Sequence, residues 1–165
     1  DKALKSYTKR FDNAELDDFL VTKTEIEIAN EIVSEELKQA ISIAKENIDK
    51  FHKSQFVDES IIETSIGVEC WRISIGIEIV GLYIPGGSAP LFSTVLMLGI
   101  PAKLAKCKEV VLCTPSNSKG EINPAILYTG RINEGLAAVS VNGISARLRR
   151  LWIASLEKLI VKLAK

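Results

Sequence analysis

VGLYIPGGSAPLFSTVLMLGIPAK, Val80 to Lys103, sits in a run from Ile79 to Ala102 that holds no charged side chain. The run is long enough to cross a bilayer. It also contains Pro85, Gly86, Gly87, Pro90 and Pro101. A spanning helix satisfies every backbone group internally, and two prolines with two glycines inside YIPGGSAP break any helix there. The flanks give the alternative. GIEIVGLYI, before the loop, is short and rich in Ile and Val, as a buried strand is. STVLMLGIPAKLAKC, after it, is apolar all round, with Ser93 the expected N-cap. EVVLCTP reads as a second buried strand. Strand, glycine-containing loop, apolar helix and strand make a βαβ unit, so the uncharged run is two buried elements and a turn.

The rest of the chain fits a globular α/β protein. Its 165 residues are enough for one domain with a real core. Hydrophobic residues at 47% and charged ones at 25% exclude a disordered polymer. A formal net charge of zero gives no global pull towards nucleic acid or an acidic membrane. Cys70, Cys107 and Cys113 are odd in number and lack metal-type spacing, so they read as reduced thiols of a cytoplasmic protein. The opening residues show no secretory signal pattern.

Residues 1–56 form a charged helical segment. Ile26, Ala29, Val33, Leu37, Ile41, Ala44 and Ile48, with Ile28, Ile32, Ala40 and Ile43, recur at three- and four-residue spacings. Thr22 with Glu25 makes a capping box, and Ser34 half of one, with a helix break around Glu35, Glu36 and Lys38. Residues 57–130 switch to short β-rich runs around Gly67 and Gly76, then the loop unit, a polar loop TPSNSKGEINP and a helix from AILYTG. Residues 131–165 form a divergent tail. In it, ARLRRLWIASLEKLIVKLAK is a basic amphipathic helix, expected to cover apolar surface rather than lie on a membrane.

Among candidate ligand groups, Gly86 and Gly87 let the backbone approach a ligand closely, and Ser88 adds a hydroxyl. The pattern is not GxGxxG. Taken singly, PGG is a turn and Tyr83 covers a strand end. His52, the one histidine, ends a charged helix and reads as a surface side chain. Cys113 lies in an apolar run and reads as an inert thiol. Glu69, Glu78 and Asp58 have nothing in the sequence to bring them together.

Longer blocks add what spacing cannot. DKALKSYTKRFD, FHKSQ, GLYIPGGSAPLFSTVLMLGIPAKLAKCKEVVLCTP and ILY resemble histidinol dehydrogenase over residues 1–130. Gly76 departs from the proline common there. The resemblance implies a partial Rossmann-like sheet domain after a helical segment. It also implies a zinc- and NAD-dependent homodimer that oxidises L-histidinol through L-histidinal to L-histidine. It puts Tyr83 on NAD, with Pro85 and Gly86 lining the same site. The family's zinc ligands (Gln, His, Asp, His) and its Glu–His catalytic pair lie downstream of the matched blocks, so no catalytic or metal residue is assigned. An inactive piece of that enzyme is the expectation, against a non-catalytic module that binds nucleotide weakly or serves as an interaction element. After AILYT the resemblance is lost. A break in the reading frame near codon 130 is the expectation, since a one-nucleotide shift there restores a family-like Ala-Glu-Leu-Thr for one choice of synonymous codons.

Overall fold

The computed structural model describes residues 2–56, 60–86, 89–133 and 136–140. Helix α1 (Lys2–Asp12) leads into α2 (Lys23–Ile32) and α3 (Glu35–Lys53). The capping box is formed: Glu25 N donates to Thr22 Oγ1 at 3.2 Å, and Thr22 N to the Glu25 carboxylate at 2.7 Å. Ser34 caps α3 by accepting from Leu37 N at 3.3 Å, so the helices break at Val33–Ser34, and Glu35, Glu36 and Lys38, where the break was expected, already belong to α3.

An antiparallel hairpin follows, β1 (Ile62–Ser65) and β2 (Val68–Cys70), turned by Gly67 at φ +79°. The main sheet is β3 (Ile79–Tyr83), β4 (Glu109–Thr114) and β5 (Leu136–Ser140), parallel throughout and ordered β3-β4-β5. Its crossovers are α4 (Phe92–Leu104) and α5 (Pro124–Ile132). Parallel neighbours joined by helices are the α/β arrangement expected. Both crossover helices pack together, with α3 against α4 and α2 against α5. The result is a sheet, a helical layer over it, and a second helical layer outside.

Two apolar clusters join these layers. Leu82, Ile84, Val110 and Leu112 of the sheet meet Val95, Ile126 and Leu127 from the crossover helices, and Ala29 of α2. Ile41 of α3 meets Leu96 and Ile100 of α4, flanked by Leu37, Ala44, Ile48 and Tyr128.

Several expectations need correction. Ser93 is not the N-cap: α4 starts at Phe92, Leu91 holds the cap position, and no side chain bonds there. Residues 76–78 are not strand, and β3 begins at Ile79, where pairing with Glu109 begins. Ile28, Ile32 and Ile43 are exposed rather than core, because the outer helices bury one stripe each. The sheet also continues past residue 130. A helix runs to Ile132, and a strand from Leu136 lies in parallel register with β4. The amphipathic pattern at 146–165 lies outside the described residues.

Candidate functional site

In parallel α/β sheets, ligands bind beyond the carboxyl ends of the strands. Here β3 ends at Tyr83 and β4 at Thr114, and a cleft of about 1100 Å³ opens beyond both. Tyr83 pairs with Cys113, and Ile84 N donates to Cys113 O at 2.9 Å, which carries the pairing one residue past the strand. The next residues, Pro85 and Gly86, leave the sheet as one wall of the cleft, and Pro115, Ser116 and Asn117 form the other.

Gly86 is required by contact. A Cβ there would stand 2.6 Å from Pro115 Cγ, well inside van der Waals distance. The facing loop is rigid by its own bonds. Asn117 Oδ1 accepts from Lys119 N and Glu121 N, each at 2.9 Å, and Asn117 N donates to Glu121 O at 2.9 Å. Gly120, at φ +84°, takes the left-handed turn position. Asn123 then caps α5 by accepting from Ala125 N at 2.9 Å, with Pro124 as its first residue, so the start of α5 borders the cleft.

Tyr83 keeps 42% of its surface exposed at the mouth. Ser116 is buried, lines the cleft, and its Oγ has no hydrogen-bond partner. Asp12, at the end of α1, also lines it. One of its carboxylate oxygens is buried without a partner, and burial raises its pKa above the ordinary carboxylate value. An uncovered ring, a rigid glycine-bearing turn and orphaned polar oxygens form a donor and acceptor set suited to a polar ligand with a flat ring.

The structure therefore brings Tyr83, Pro85 and Gly86 to one cleft, while Gly87 and Ser88 lie outside the described residues. The suggested carboxylates do not converge on it. Glu69 faces Glu63 across the hairpin and Glu78 pairs with Lys108 at 3.2 Å, while Asp58 lies outside the described residues. His52 is half-buried at the end of α3 with Nδ1 2.8 Å from Gln55 Oε1, and Cys113 is buried. Asp12, Ser116 and Asn117 were missed as site residues. The signal for the last two was available, since TPSNSKGEINP follows a parallel strand directly. Among the described residues, no group of three or more His, Cys, Asp or Glu side chains can hold a metal ion. No helix among them is long and apolar enough to cross a membrane.

The family model for histidinol dehydrogenase matches residues 1–146, so the likeness extends beyond residue 130. The chain is 49% identical over 146 residues to the histidinol dehydrogenase of Bacteroides thetaiotaomicron, covering 88% of this chain and 34% of that protein. The Xylella fastidiosa (strain Temecula1) enzyme is 44% identical with the same coverage. The crystal structure of histidinol dehydrogenase from Elizabethkingia anophelis superposes with a TM-score of 0.85 at 57% identity, again over 88% of this chain and 34% of that one. The chain thus spans about a third of the length of the relatives it matches.

Proposed function

The chain belongs to the histidinol dehydrogenase family, and on that premise we propose that it carries one edge of the NAD site of an enzyme that oxidises L-histidinol through L-histidinal to L-histidine. The supporting observation is the position of Tyr83, half uncovered at the carboxyl end of a parallel strand and at the mouth of the cleft that Pro85 and Gly86 line. NAD, when bound, supplies the hydride acceptor. The Tyr83 ring offers a stacking face. Pro85 fixes the loop's direction, and Gly86 lets it lie against Pro115. The unpartnered Ser116 hydroxyl is free to hydrogen-bond a polar group of the ligand.

The described residues do not fit zinc, because no cluster of donors converges, and no step is derived through it. Acid–base work on histidinol also lacks its groups. The chain has one histidine, and its Nδ1 faces Gln55 rather than a carboxylate. This chain alone is therefore inactive in our reading, with the Glu–His pair and zinc ligands supplied by the remainder of the enzyme. A homodimeric, cytoplasmic parent without a nucleic-acid partner completes the proposal, the last point supported by zero net charge.

Two measurements test it. Titration with NAD is expected to give binding weaker than about 10 μM, roughly 7 kcal/mol, since one edge of a site offers little surface. Tyr83→Ala should weaken it further. An unchanged titration removes Tyr83 from the site, and tighter binding refutes the partial-edge reading. NADH formation from histidinol, NAD and zinc above a heat-treated control would refute the inactivity of the chain.

A further inference from the structure

A second cleft, of about 800 Å³, opens where the end of α3, the segment after β2 and the last turn of α4 meet. Its lining holds His52, Arg72 and Lys106 and not one described carboxylate. Trp71 and Phe56 also line it, 61% and 60% exposed. The volume lies in the range of small-molecule sites. The first cleft differs, since Asp12, Glu25 and Glu121 line it together with Lys119.

The walls are held by close backbone contact. A Cβ on Gly76 would fall 2.0 Å from Ala105 O, so the segment carrying Trp71 and Arg72 is pressed on the end of α4. That end closes as a Schellman turn: Cys107 N donates to Ala102 O and Lys106 N to Lys103 O, at 3.1 and 2.9 Å. These bonds occupy carbonyls that would otherwise repel an anion. The left-handed position, φ +57°, is filled by Lys106 where glycine is the unstrained choice. Neither Arg72 nor Lys106 has an ion-pair partner among the described residues.

From this we infer that the cleft binds a phosphate monoester carried on a flat ring. The phosphate sits between the Arg72 fork and the Lys106 ammonium, and the ring stacks on Trp71. A dianion suits two facing cations, and the planar guanidinium matches phosphate geometry. The inference does not rest on the NAD reading, because it uses other residues and another cleft.

The test uses the full chain with Trp152→Phe, which leaves Trp71 as the sole tryptophan. Adenosine 5′-monophosphate is titrated against Trp71 fluorescence, with adenosine and inorganic phosphate as separate probes. The expected result is saturable quenching by the monophosphate, with each half-ligand about tenfold weaker or worse. Arg72→Ala and Lys106→Ala should each weaken the monophosphate by about tenfold, and Tyr83→Ala should leave it unchanged. Arg72 is exposed, so circular dichroism of Arg72→Ala should match the parent. Arg72→Lys, which keeps charge and loses the fork, should fall in between. The inference is overturned by no quenching up to about 10 mM, a range corresponding to under 3 kcal/mol. It is also overturned by equal quenching with adenosine, by indifference to both Arg72→Ala and Lys106→Ala, or by loss of quenching in Tyr83→Ala. Asp58 and Glu59 follow Phe56 closely in the sequence, so their carboxylates are tested as competitors by substitution. If Asp58→Asn with Glu59→Gln is needed before any binding appears, the native cleft is not an anion site.

Discussion

Leu112→Ala tests how tightly the sheet and the crossover layer are joined. Leu112 is fully buried in the central strand, and its Cδ2 lies 3.2 Å from where a Cβ on Gly130 of α5 would stand. The substitution removes three carbons, worth about 2.4 kcal/mol at about 0.8 kcal/mol each. The space left behind raises the cost to roughly 3–4 kcal/mol. Gly130→Ala in the parent protein should be near neutral, because a helix-propensity gain of up to about 1 kcal/mol is offset by crowding against Leu112 Cδ2. In the Leu112→Ala background the crowding atom is gone, so the same change should stabilise by about 1 kcal/mol. Urea unfolding followed by far-UV circular dichroism gives all four free energies. A Leu112→Ala cost below about 1.5 kcal/mol, or an identical Gly130→Ala effect in both backgrounds, refutes this packing.

Other changes give separate checks. Thr22→Ala removes the capping box of α2 and should cost about 1 kcal/mol by the same unfolding assay. Gly67→Ala meets nothing within 4 Å, so its cost, about 1–2 kcal/mol, comes from the left-handed φ of +79° alone, and Gly67→Asn should recover part of it. Asp12 has a raised folded-state pKa, so it favours the folded state below its unfolded value and that contribution is lost as pH rises through the folded value. Asp12→Asn should then stabilise the protein at neutral pH, with the gain shrinking in unfolding curves below about pH 4. Gly86→Val drives a side chain into Pro115 and should weaken NAD binding in the titration of Tyr83→Ala, while leaving the cap of α2 untouched.

What was legible in the sequence follows from how local each feature is. The strand, loop, helix and strand around Tyr83 showed because proline, glycine and a charge-free run are local signals. The caps at Thr22 and Ser34 showed for the same reason. The N-cap of α4 did not, because the path of Leu91 into the helix, at φ −87° and ψ 51°, sets the start, and no hydroxyl is used. In α3, apolar residues on two faces compete, and only the position of α4 selects Ile41 over Ile43. β5 was hidden because Leu-Ala-Ala-Val-Ser has little β-branched character, and its strand state comes from pairing with β4. Within the site, Tyr83 and Gly86 were visible from their own motif. Asp12 arrives from the end of α1 and Ser116 from the loop that follows β4, a meeting that only the topology creates.

The layered order of the helices has a consequence for synthesis. α2 and α3 leave the ribosome before α4 and α5, whose surfaces they cover. Ala29 and Ile41 stay without partners until the chain has emerged through Leu127 and Ile100 respectively. α3 can therefore dock as soon as α4 is out, whereas α2 must wait for α5. The nascent chain passes through a stage in which the second helix is bound only to its neighbours in sequence. A chaperone that reads exposed aliphatic helix faces would meet α2, not α3, for the longer interval.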